Sequence, residues 1–155
     1  MNIDSSYFCS GSRQIYNANG GVADQRQNLA VNNAIEGFIM QYSPKFLEKV
    51  FGRDIANKIL EAEKGSEDTK LKTLFEGVAE ALAEYVLFHL LRDTAERMTI
   101  DGVVVLKSAN THVSPAVQQA NAWNRMVDDL RDFYAANEQI RPNQDLLTKI
   151  TPCWI

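Results

Sequence analysis

The sequence has few of the residues that carry most enzyme chemistry, with two histidines and two cysteines in 155 residues. It contains no CxxC, HExxH, GxGxxG, GxxxxGK[ST] or GxSxG motif. Its acidic pairs, such as Glu67-Asp68 and Asp128-Asp129, fall on predicted exposed helix positions, where neighbouring carboxylates are typical of a solvated surface. We therefore expect no catalytic residues, no cofactor and no metal site.

Long apolar runs are also missing. The longest strongly apolar run, YVLFHLL at residues 85–91, is far shorter than the ~20 residues that cross a bilayer. The first residues show no basic stretch followed by an apolar one, so we expect no signal peptide and no membrane contact. Cys9 and Cys153 lie near opposite ends; a disulfide between them is possible, but reduced thiols in a cytosolic setting are favoured.

Basic clusters are absent as well. The chain has sixteen Lys and Arg residues and twenty Asp and Glu residues, which gives a formal net charge of -4. Tight binding to a nucleic-acid backbone needs several cationic contacts to phosphate. This charge balance argues against such binding, but it leaves open a surface that DNA passes without being held.

The periodicity of apolar residues predicts a mainly α protein. Its length fits one domain, and 45% hydrophobic with 23% charged residues is ordinary for a globular protein. Ser43, Pro44 and Gly52 have the chemistry of a helix cap, a first position and a residue past the end. The spacing then predicts helices over about residues 23–42, 44–51 and 53–64, one of about 30 residues after Ser66, and a last long helix from Ser114 and Pro115.

One segment interrupts the helical pattern, at about residues 98–107. Asp101-Gly102 flanked by β-branched residues predicts a short β-hairpin. A single hairpin is marginal in water, so it must pack on helices or pair with a strand of another subunit. Its apolar residues are candidate partner contacts: Val103, Val104 and Val105.

Both ends of the chain are predicted to be arms outside the helical bundle of residues 23–140. Residues 1–22 form an extended arm with Tyr7 and Phe8 as apolar anchors, either folded on the chain's own core or docked on a neighbour. Residues 141–155 form a tail in which a buried Trp would remove roughly 200 Å² from water. Either the chain itself or a partner covers that tail, whose candidate contacts are Leu146, Leu147, Trp154 and Ile155.

Two features of the helices have competing interpretations. His89 lies in an apolar segment, where a buried histidine hydrogen-bonded to a neighbour is favoured over a metal ligand.

The last helix carries a seam of apolar residues at steps of four and three residues. Packing of this seam against the preceding long helix is favoured over a coiled-coil partner, and its members are Ala116, Ala120, Trp123, Val127, Leu130 and Tyr134.

Three segments carry a resemblance to a known family: YSPKFLEKVFG at 42–52, YVLFHLLRDTAE at 85–96 and VSPAVQQANAWNRMVDD at 113–129. The predicted small helical bundle with a short hairpin and extended termini resembles the head–tail connector (adaptor, neck-ring) proteins of tailed bacteriophages, and the three segments are similar in sequence to small proteins of crAss-like phages and Bacteroidetes-type prophages. The matching motifs are packing motifs, so the resemblance carries over no catalytic residue.

The resemblance implies a virion structural protein of the neck region, made in the host cytoplasm. It implies a homo-oligomeric ring of about twelve copies that joins the portal protein to other neck or tail proteins, with DNA passing nearby without specific binding. The alternative is a small cytosolic helical regulatory or adaptor protein that acts as a dimer, with the seam at residues 116–134 as its interface.

Overall fold

A computed structural model of the chain describes residues 1–15, 25–62, 68–101 and 115–152. These ranges are mainly helical and contain no β-strand, so the predicted mainly α helical bundle is confirmed. Their long helices are α1 (Gln25–Phe51), α2 (Arg53–Glu61), α3 (Thr69–Asp101) and α4 (Pro115–Ala136). Short 3-10 turns lie towards the ends, at Ser5–Phe8, Gly11–Arg13 and Gln144–Leu146.

Helix α1 runs through Pro44, so the predicted break between residues 42 and 44 is wrong. A proline inside a helix costs about 3 kcal/mol, because it lacks an N–H donor and its ring crowds the preceding turn. The buried face formed on both sides of Pro44 outweighs that cost, and it consists of Ile35, Ile39, Tyr42, Phe46, Leu47 and Val50. The predicted stop is confirmed, because Gly52 takes a φ of 80° that favours glycine and its N–H bonds to the Glu48 carbonyl oxygen at 2.9 Å.

Helices α3 and α4 form the most extensive pairing of the fold. Asp68 caps α3, since its Oδ1 accepts hydrogen bonds from the backbone N–H groups of Lys70 and Leu71 at 3.1 and 3.2 Å. Four members of the seam on α4 are buried, which confirms its interpretation as core packing within the chain: Ala120, Val127, Leu130 and Tyr134.

The first strand of the predicted hairpin is wrong, because α3 continues as a helix through Asp101. Good helix formers precede this point at residues 95–98, and adding a turn to an existing helix is easier than forming two isolated strands. The rest of the predicted hairpin, including Val103, Val104 and Val105, lies outside the described residues.

The first fifteen residues pack on the helices instead of extending away from them. Ile3, Phe8 and Ile15 are buried in the common core. The Ser5 N–H donates to Glu36 Oε1 on α1 at 2.8 Å. Of the two possibilities for this segment, the structure therefore has it folded on its own chain, while residues 16–22 of the predicted arm lie outside the described ranges.

The C-terminal segment also folds back, and it runs along α4. Leu146 is fully buried, and the Trp123 Nε1–H donates to the Thr148 carbonyl oxygen at 2.8 Å. The Asn124 side-chain amide both donates to the carbonyl oxygen and accepts from the N–H of Ile150, each at 2.9 Å. The segment is thus fixed to the bundle through residue 150, and Trp154 and Ile155 lie outside the described residues.

Candidate functional site

The predicted partner contacts that the structure describes belong to the chain's own core. Phe8 and Leu146 are fully buried, and Tyr7 and Leu147 are half-buried against the same core. In this conformation Phe8 and Leu146 present no surface to a partner. The other predicted contacts (Val103, Val104, Val105, Trp154 and Ile155) lie outside the described residues.

An aromatic cluster joins α1, α3 and α4. The ring of Tyr42 stacks on that of His89, with centroids 4.0 Å apart and planes within 7°. Tyr85 meets His89 edge-on at 4.5 Å, and Phe88 lies 5.0 Å from Trp123 of α4. Offset-stacked and edge-to-face pairs at these distances stabilise beyond their buried area, so the cluster locks the three helices together.

His89 lies inside this cluster, and no described residue makes a hydrogen bond to its ring. Its residue is only 9% exposed, and neither ring nitrogen contacts a donor or acceptor among the described residues. Its predicted burial is confirmed, but the predicted hydrogen bond to a neighbour is not found in the described part of the chain. Burial lowers the pKa of His89 to about 4 and the Arg92 charge acts in the same direction, so the ring is neutral at ordinary pH.

A small polar network closes one end of the cluster. The Tyr42 hydroxyl donates to Asp93 Oδ2 at 2.9 Å, and Arg92 Nε donates to Asp93 Oδ1 at 3.0 Å. Burial and the hydrogen bond to Asp93 raise the pKa of Tyr42. The hydroxyl therefore stays protonated and remains a donor to the carboxylate.

A cleft of about 520 Å³ opens beside the cluster, between α1 and α3. Its lining combines aromatic rings with charged side chains: Tyr42, Lys45, Glu48, Lys49, Tyr85, His89 and Arg92. Glu48 is paired with Arg53 through a hydrogen bond of 3.1 Å, and Lys45 Nζ lies 5.0 Å from the Tyr42 ring centroid. Lys45 and Lys49 have no carboxylate partner within the described ranges, so the cleft is basic in an acidic chain.

A second charged group lies deep in the bundle, at Glu84, which is 2% exposed. Arg125 of α4 donates to it through two nitrogens at 2.9 Å each, and Arg13 of the N-terminal segment donates at 3.2 Å. Arg13 also pairs with Glu80. Because protein groups already satisfy the Glu84 carboxylate, this cluster fastens the N-terminal segment to α3 and α4 and leaves no place for a ligand.

Two large apolar side chains face solvent on α1. Leu29 is 61% exposed and Met40 is 74% exposed. Their separation of eleven residues is close to three helical turns, so they lie on one side of the helix. Leu29 and Met40 are the two most exposed large apolar side chains of the described residues, and together they are called the α1 stripe below.

The cleft and the Glu84 cluster were both missed at the level of sequence. Lys45 and Lys49 lie in a stretch where Lys and Glu alternate, which is typical of an exposed helix surface, yet with Tyr42 they share one helix face beside the core. Glu84 gave a signal that could have been used, because it is a single carboxylate within the apolar stretch of residues 81–91. A carboxylate at such a position needs a cationic partner from elsewhere in the chain.

The part of the chain that the structure describes contains neither a metal-binding cluster nor a membrane-spanning helix. No group of three or more His, Cys, Asp or Glu side chains is arranged there to hold a metal ion. None of the described helices is long and apolar enough to cross a membrane. In comparisons with known proteins, no family model, curated protein or solved structure matches the chain.

Proposed function

We propose that the protein is a structural subunit of the head–tail connector type, without enzymatic activity, that forms a ring in the neck of a tailed phage. The observation that carries the proposal is the meeting of the three segments that resemble this family. Tyr42 of the first segment stacks on His89 of the second, and Phe88 of the second packs on Trp123 of the third. Three segments that are far apart in the chain thus pack against one another, as expected if they form the helical bundle of such a subunit.

The α1 stripe supports assembly through the side of this body. A ring joins two different patches of neighbouring copies in a head-to-tail contact. Leu29 and Met40 offer two exposed apolar side chains for such a contact, about 16 Å apart along α1, and covering them would remove apolar surface from water. The net charge of -4 suits a ring whose wall lets DNA pass without holding it, with a portal protein above and other neck or tail proteins below.

The experiment that tests the proposal is native mass spectrometry of the purified protein, with negative-stain images of the same samples over a concentration series. Closed rings of about a dozen copies would support it. Compact dimers at every concentration would contradict it, and so would monomers throughout.

The alternative, a regulatory or adaptor protein that dimerises through residues 116–134, loses its expected interface. Val127 and Leu130 at the centre of that seam are fully buried within the chain. A second copy could reach them only if α4 separated from α3. We therefore propose the connector function alone.

A further inference from the structure

We propose that the cleft between α1 and α3 binds a small molecule or ion of the phosphate class. This site goes beyond ring assembly, which places no demand on it. The inference depends on three observations: the arrangement of cations around the cleft, the unpartnered histidine in its wall, and its size.

The cations come from both walls of the cleft. Lys45 and Lys49 lie one turn apart on α1, and Arg92, which also pairs with Asp93, lines the cleft from α3. Like charges one turn apart on a helix repel each other, and the neighbouring Glu48 is engaged by Arg53. An anion between the two lysines would remove that repulsion, and Lys and Arg are the side chains that bind phosphate oxygens most strongly.

The histidine provides the second observation. His89 lines the cleft, yet both of its ring nitrogens are buried with no partner among the described residues. Buried polar groups are nearly always hydrogen-bonded, so an orphan calls for an explanation. Because the ring lines the cleft, an oxyanion bound there is the candidate partner for one of its nitrogens.

Size and charge favour a small ligand over a nucleic acid. A volume of about 520 Å³ lies within the range of small-molecule sites. A nucleic-acid backbone is held by a row of cations along a surface, whereas here three cations meet around one cleft in a chain with a net charge of -4. A free phosphate or a phosphate monoester fits these features better than a polymer of phosphodiesters.

The test is an NMR titration of the full chain with inorganic phosphate at constant ionic strength, with sodium chloride as the reference salt. We expect saturable shifts at Lys45, Lys49 and the His89 ring. We also expect the pKa of His89 to rise. The positive charges of Arg92, Lys45 and Lys49 lower this pKa, and a bound anion would offset them and so stabilise the protonated ring. Asp93, Tyr42 and Tyr85 face the same ring and are present in both states, so the change reports the added phosphate.

A pair of double variants makes the test specific. Lys45→Gln with Lys49→Gln is expected to weaken phosphate binding at least tenfold, while Lys58→Gln with Lys70→Gln removes the same charge from exposed positions of α2 and α3 and leaves binding unchanged. Circular dichroism checks that both variants are folded.

Three outcomes would overturn the proposal: equal weakening of phosphate binding by both pairs of substitutions, chemical shifts that do not saturate with phosphate, or the same shifts with chloride. Tighter binding of a DNA oligonucleotide than of phosphate would overturn the small-ligand assignment.

Discussion

Phe133 of α4 packs over the place on α3 where Gly77 has no side chain. A Cβ added to Gly77 would lie 2.9 Å from the ring atoms Cδ2 and Cε2 of Phe133. Real Cβ atoms do not come so close, so either the ring or the helix must move. Because Gly77 has no side chain, α3 and α4 can approach each other closely at this point.

We predict that Gly77→Ala lowers the free energy of unfolding by about 1 kcal/mol. Alanine gains about 1 kcal/mol of helix propensity, but overpacking a well-packed contact costs about 1–3 kcal/mol. Gly37→Ala is the matched control, because no atom lies within 4 Å of a Cβ added there and we expect stabilisation of about 0.5–1 kcal/mol. Thermal or urea unfolding compares the two, and equal stabilisation by both would refute the close contact.

His89 makes stability depend on pH in a defined window. The pKa of His89 is about 4 in the folded protein, against 6.5 for an ordinary histidine such as that of the unfolded chain. Between pH 4 and 6.5 the unfolded chain therefore binds more protons than the folded one. Stability is therefore complete above pH 6.5 and is lost as the pH falls towards 4, by up to about 3 kcal/mol.

The variant His89→Phe keeps an aromatic ring in the cluster and removes the titrating group. We expect its free energy of unfolding to vary less than that of the parent between pH 6.5 and 4, by about 2–3 kcal/mol. Urea unfolding at a series of pH values measures the difference. Parallel curves for the two proteins would show that His89 titrates normally in the folded state.

At the scale of elements, helix ends were predicted best where backbone geometry left little choice. Gly52 ends α1 because its positive φ suits glycine, and that requirement is visible in sequence. Pro44 and the β-branched residues Thr99 and Ile100 gave wrong predictions, because their local preference was weaker than the continuation of an existing helix. A single sequence does not reveal how much burial lies on the far side of a proline, so the continuity of α1 could not be predicted.

The N-terminal segment depends on one buried carboxylate of α3. We predict that Glu84→Gln destabilises the protein by about 2 kcal/mol, because Arg13 and Arg125 keep their charges and lose their common partner. Hydrogen exchange at residues 1–15 should increase along with it. Arg13 and Arg125 retain some exposure to water, which keeps the expected loss below that of a fully buried pair.

Glu80→Gln is the control for this prediction. Glu80 also pairs with Arg13 but is exposed, so its loss should cost less than about 1 kcal/mol. Unchanged exchange at residues 1–15 in Glu84→Gln would mean that apolar contacts alone hold the segment.

At the scale of the whole molecule, the α1 stripe is the surface on which the proposed ring depends. We predict that Leu29→Asp with Met40→Asp leaves the helical content intact but shifts the native mass spectrum from rings to monomers. Charges placed in an apolar contact lose hydration without gaining a partner. Asn121→Asp with Ala135→Asp adds the same charge at exposed positions of α4 and should still form rings. Rings from both variants would exclude the stripe from the interface.

The helical class and the buried seam of α4 could be predicted because they follow from periodicity along single helices. The cleft could not, because its lysines lie on α1 and its histidine on α3. The same holds for the Glu84 cluster, which joins three parts of the chain. Sequence spacing specifies which face of a helix is apolar, and it leaves open which two faces meet.

The double pairing of Glu84 also orders events during synthesis. Arg13 is made early, its carboxylate partner follows about seventy residues later, and Arg125 comes later still. At roughly 5–20 residues per second, Arg13 waits for several seconds before its ion pair can form and longer before α4 completes it. Residues 1–15 therefore leave the ribosome before the helices on which they pack, and they reach their final place only after those helices are made.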